Sequence, residues 1–72
     1  MAGLKPKDLA GGLALTLKNL PFEVLLHIVR SGEDTFVKRC RRTDKYGISD
    51  AEYKQVFARL ARKVRRLQAA TH

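Results

Sequence analysis

The chain has 72 residues, and 15 Lys and Arg against 7 Asp and Glu give it a formal charge of +8. A chain this short forms one domain and buries only about 60% of its unfolded surface, which leaves little room for an enzyme's pocket and the residues that support it. The charge selects polyanionic partners instead: nucleic acid, an acidic protein surface or anionic lipid.

Cys40 is the single cysteine. No internal disulfide and no CxxC metal or redox motif can form, which fits a reducing compartment. Beside Phe36 and Val37 it serves as a small apolar core residue. Arg39 and Arg41 flank it in sequence, but sequence neighbours on a helix do not share a face. No triad, carboxylate pair or activated nucleophile is visible, so no enzyme activity and no cofactor are expected. His27 and His72 are the only imidazoles, too few and too far apart in sequence to suggest a metal site.

Residues 1–6 read as a tail, 7–69 as a single helical domain and 70–72 as a second short tail. Asp8 can cap a first helix over Leu9–Lys18, with Leu9, Leu13 and Leu17 on one side. Its run "LAGGLALTL" follows Lys5 and Lys7, as a signal peptide's apolar stretch would. Asp8 at its edge and "KNLPFE" after it argue instead for a core-facing segment of a cytoplasmic protein. It is also too short to span a bilayer. Gly11 and Gly12 each cost a helix about 1 kcal/mol against Ala. They either admit a close neighbour or let the helix fray.

"NLPFEVLLHIVRSG" predicts a second helix, capped by Asn19, with Pro21 in its first turn and Gly32 at its end. It is apolar almost all round, the mark of a central, buried helix. A third helix covers Asp34–Arg42, with Phe36, Val37 and Cys40 facing inward and its charges aligned with the helix dipole. "TDKYG" breaks it, and Gly47 is free to take positive φ. A long fourth helix then starts at a Ser49–Glu52 capping box. Tyr53, Val56, Phe57, Leu60, Val64 and Leu67 share one face. No acidic residue follows Glu52. The fold class expected is an all-α compact bundle of three to four helices, helix-turn-helix-like, with a long basic C-terminal helix.

Two helices around a Gly-containing turn, the second of them basic, have the outline of a helix-turn-helix. Tyr46, Ile48, Tyr53 and Val56 stand where that motif packs apolar residues. The wider run "LPFEVLLHIVRSGEDTFVKRC…YGISDAEYKQVFARL" looks like the three-helix core of winged bacterial regulators. That resemblance implies a regulator of transcription that binds DNA. Asp50 and Glu52 depart from it, because they occupy the turn that would approach the bases. Arg42 departs too, at a position where the motif prefers an apolar residue. "LPFEVLLHIV", Leu20 to Val29, resembles the opening of an F-box, matching at Leu20, Pro21, Glu23, Leu25 and Ile28. That likeness implies an adaptor-docking module, although the apolar and aromatic continuation of the F-box is missing.

The leading expectation is a small transcription regulator that contacts DNA or RNA through its basic helices. Lys38, Arg39, Arg41, Arg42 and Lys45 would join Arg59, Arg62, Lys63, Arg65 and Arg66 on phosphates. Lys54 and Gln55 would read bases. A homodimer would supply paired half-sites. The alternative is a protein-binding regulator or inhibitor, of the kind viruses encode, docked on an acidic surface of a large assembly such as RNA polymerase. A membrane-surface helix would need an exposed apolar face, and the stripe from Tyr53 to Leu67 is expected to be taken by the core.

Overall fold

A computed structural model describes residues 6–70, with side chains described over 9–70. The chain is a compact all-α bundle of four helices: α1 (Pro6–Lys18), α2 (Phe22–Ser31), α3 (Glu33–Arg42) and α4 (Asp50–Ala70). No strand occurs among the described residues. The expected tails lie outside the described residues, except Pro6, which opens α1, and Ala70, which closes α4.

The first helix starts three residues before the expected Leu9. Proline is tolerated there because the first N–H groups of a helix have no intrahelical partner. Asp8 therefore lies inside the first turn and not ahead of it. Ala10 and Ala14 are the buried residues of α1, and Leu9, Leu13 and Leu17 pack half-buried against the core. Small side chains bring α1 close to α4, and the leucines fill the edges. The helix runs unbroken through Gly11 and Gly12. A Cβ at either glycine would meet nothing within 4 Å, so neither serves close approach.

Asn19 does not cap α2. Its N–H donates back to the Thr16 carbonyl, and Pro21 is the N-cap residue, with no side-chain cap bond. The fixed φ of proline sets the extended entry, and the Pro21 carbonyl accepts from Val24 and Leu25 N–H. Nor is α2 the central helix. Only Leu25 is fully buried on it, and Val24 is 41% exposed. Ten residues lying against α3 and α4 have more apolar circumference than those neighbours can cover. The central place belongs to α4, which packs against all three other helices.

Gly32 makes the α2–α3 corner alone. Its φ of 95° and ψ of 159° lie in a region essentially reserved for glycine. Its N–H donates to Val29 and its carbonyl accepts from Phe36. Phe36 and Val37 are buried, and Cys40 packs half-buried beside them. The α3–α4 connection spans residues 43–49, longer than the three or four residues of a DNA-binding turn. Ile48 is buried within it, whereas Tyr46, expected to pack, is 64% exposed. Ser49 Oγ accepts the Glu52 N–H at 3.3 Å, the first half of the capping box. Tyr53, Val56, Leu60 and Val64 are buried, and the rings of Phe57 and Phe36 tilt together at 5.6 Å.

Candidate nucleic-acid interface

The core face of α4 fixes what its other face must carry. At 100° per residue, the positions furthest from the buried four span an arc of about 140°. Nine residues occupy it, and all nine are exposed. Five are cationic: Lys54, Arg59, Arg62, Arg65 and Arg66. The rest are Gln55 and three alanines, Ala51, Ala58 and Ala69. The arc holds no carboxylate. Among the described residues the one salt bridge lies off this arc, between Arg41 Nε and Asp50 Oδ1 at 3.4 Å.

That pair changes the standing of two residues. Arg41 is held at the start of α4 and is not part of a free cationic face. Asp50 is balanced by it, which lessens the repulsion expected from an acid in that turn. Both side chains are largely exposed, so the pair adds at most about 1 kcal/mol of stability.

Lys63 leaves the candidate set for a structural reason. Its Nζ donates to the carbonyl oxygen of Lys18, the last residue of α1. The side chain is half-buried and closes a helix end. Lys38, Arg39, Arg42 and Lys45 are all exposed. Arg39 borders a separate groove with Leu17 and Ile28. Helical spacing turns Lys38 and Arg42 away from the Phe36–Val37 face. The expected single cluster thus divides into the outward arc of α4 and a looser group on α3 and the following loop.

Two grooves flank α4. One, about 510 Å³, has Gly11, Gly12 and Leu15 on the α1 side and Glu52, Gln55 and Arg59 on the α4 side. Bare helix backbone at the two glycines leaves it open, and Leu15 stands 63% exposed beside it. The other, about 340 Å³, lies between Glu33 of α3 and Ala58, Ala61, Arg62 and Arg65 of α4.

Asp44 is a polar centre outside the expected set of residues. Its Oδ1 accepts N–H bonds from Tyr46 at 2.9 Å and Gly47 at 3.2 Å. These bonds, that of Tyr46 foremost, hold its carboxyl below the ordinary range. The carboxylate also faces the Tyr53 hydroxyl, which burial, and then Asp44, push up to about 12. Cys40 borders the same hollow as Asp44 and Tyr53. Burial, and then the Asp44 charge, raise its thiol pKa, the opposite of what a reactive cysteine needs. An Asp three residues before a Gly was the available signal, since Asp side chains bond the backbone two residues on.

The chain matches no family model, no curated protein and no solved structure. Among the described residues no helix is long and apolar enough to cross a membrane. Fold and face together define a small all-α bundle whose central helix turns an acid-free, arginine-rich side to solvent.

Proposed function

We propose that this protein is a regulator of transcription that binds nucleic acid through the outward arc of α4, with Lys38 and Arg42 as outlying contacts. The observation that carries the reading is the exposed, acid-free arc of Lys54, Arg59, Arg62, Arg65 and Arg66. Ordinary surface helices interleave acids at i and i+4. Of the five only Lys54 has an acid at that spacing, Asp50, which pairs with Arg41. Cations without such partners hold counterions that phosphates displace. Release of those counterions makes affinity fall with salt at about −0.9 per phosphate neutralised on a log–log scale.

The test is fluorescence anisotropy with DNA and RNA duplexes over about 50 to 300 mM salt, a range in which phosphate contacts are strongly screened. Five arc cations predict a slope of about −4.5. Binding that is absent at low salt, or insensitive to salt, overturns the reading.

One observation favours a second reading. Asp50 and Glu52 occupy the first turn of α4, where a helix-turn-helix protein presents its base contacts. A protein partner with an acidic surface, such as part of RNA polymerase, would use the arginine arc and leave that turn aside. Pull-down with and without nuclease separates the two, because a stoichiometric protein retained after nuclease favours the second.

A further inference from the structure

Resting on the nucleic-acid reading, we infer that α4 seats lengthwise in the major groove of B-form DNA, with its cations on both phosphate walls and Arg62 at the base edges. The arrangement of charge around the arc carries this. At 100° per residue, Lys54 and Arg65 lie about 50–70° to one side of the outward direction. Arg66 and Arg59 lie about 50–70° to the other side. Between these two rails runs a crest of Ala51, Ala58 and Ala69, with Arg62 and Gln55 among them. A helix gripping one flat anionic surface would place its charge on the crest. Here four of the five cations stand on either side of the crest and Arg62 alone lies on it.

Size agrees. A helix with ordinary side chains is about 10–12 Å across, against a major groove about 12 Å wide and about 8.5 Å deep. Alanines on the crest reduce the leading edge, so the backbone can go deep. The flanking grooves supply the remaining space. The walls of a duplex groove stand on both sides of an inserted helix, and α4 has an open channel on each side, against α1 and against α3. Glu52 and Glu33 place one carboxylate in each channel. Five cations outweigh them.

Arg62 is the one cation on the crest, and arginine pairs bidentately with guanine O6 and N7. Gln55, two turns earlier, suits adenine N6 and N7. Such a separation along a groove-lying helix corresponds to about three base pairs, as in helices that contact three successive bases. A-form RNA has a deep, narrow major groove that admits no such helix. The arc also lacks the aromatic platform that single strands stack on.

The experiment compares a DNA duplex, the RNA duplex of the same sequence and the single DNA strand, by anisotropy with the full chain at one salt concentration. The DNA duplex is expected to bind at least about tenfold tighter than the RNA duplex. Ala58→Gln keeps a good helix former on an exposed position but thickens the crest. It should weaken DNA binding about tenfold and leave RNA-duplex binding and the helical circular dichroism unchanged, while Ala70→Gln, off the arc, changes nothing. Arg62→Ala should flatten the preference for G at one site position by about tenfold, whereas Arg66→Ala weakens all sequences alike. Equal affinity for the DNA and RNA duplexes, or an Ala58→Gln protein that binds DNA as well as the parent, overturns the groove mode and leaves the nucleic-acid reading standing. Failure to bind any of the three polymers overturns both.

Discussion

Lys63 Nζ, two turns from the end of α4, donates to the carbonyl oxygen of Lys18, the C-terminal residue of α1. The last carbonyls of a helix lack intrahelical partners, and the negative end of the dipole favours a cation there. This lysine therefore ties the two helices that frame the larger groove. Lys63→Met keeps the apolar stem and removes the donor. It should cost about 1.5–3 kcal/mol in urea denaturation, the range for a hydrogen bond from a charged group. The salt slope of nucleic-acid binding should barely change, because this charge is already engaged. Arg66→Ala should show the converse: no loss of stability, with a gain of about 0.2–0.5 kcal/mol at low salt as its repulsion with Arg62 goes, and a slope smaller by about one. If Lys63→Met lowers the slope as Arg66→Ala does, the lysine belongs with the ligand contacts after all.

The Asp44–Tyr53 contact predicts loss of stability at both ends of the pH scale. A Tyr in the unfolded chain ionises near 10, and Tyr53 in the fold is raised to about 12. The folded state thus holds a proton that the unfolded state releases first. Stability from this source is complete below about pH 10 and is lost as pH rises toward 12. Asp44 has the opposite sign. Its carboxyl is lowered in the fold, so its contribution is present above the ordinary carboxylate range and is lost as pH falls through the folded value. Thermal unfolding against pH checks both. Tyr53→Phe should flatten the alkaline limb and Asp44→Asn the acid one; limbs that persist in these variants would place the titrating groups elsewhere.

Gly11 and Gly12 offer a prediction of increased stability. Both lie within α1, and a Cβ at either meets nothing within 4 Å. Gly11→Ala and Gly12→Ala should each raise stability by about 0.5–1 kcal/mol, from the entropy that glycine loses in a helix. A decrease in either variant would mean that the bare backbone is filled by something the alanine displaces. Nucleic-acid affinity gives a second readout, because both glycines line the groove that Gln55 and Arg59 also border.

How far the sequence reaches depends on how local each cause is. The start and stripe of α4 were legible because a capping box and a period near 3.6 act within a few residues, and Ser49, Tyr53, Val56, Leu60 and Val64 sit where those rules put them. The centre of the bundle was not legible. α2 has the more apolar circumference, but α4, twice its length, can touch every other helix. Reach decided the matter, and hydrophobicity did not. The Lys63 bond was hidden for a different reason. Its acceptor is a backbone carbonyl 45 residues away, so nothing in the spacing separates Lys63 from its cationic neighbours. The pairing of Arg41 with Asp50 was hidden in the same way, because the fold and not the spacing brings them together. The alanine crest is spread over Ala51, Ala58 and Ala69, and only the buried face of α4 shows that these positions share the outward direction.

Charge on the arc of α4 should lower stability when no ligand is bound. Arg62 stands three residues from both Arg59 and Arg65 and four from Arg66, the spacings at which helix side chains meet. Like-charge pairs so placed each destabilise a helix by about 0.2–0.5 kcal/mol. Arg62→Gln removes three of them and leaves a comparable helix former, so at low salt it should stabilise the protein by about 1 kcal/mol. Screening shortens the range of that repulsion to about 3 Å at 1 M salt, so the gain should vanish there. Urea denaturation of parent and variant at both ionic strengths measures this. A gain that survives high salt would trace to helix propensity or packing. A gain that disappears shows that stability is given up at the position assigned to base contact, and that a polyanion bound along α4 restores it.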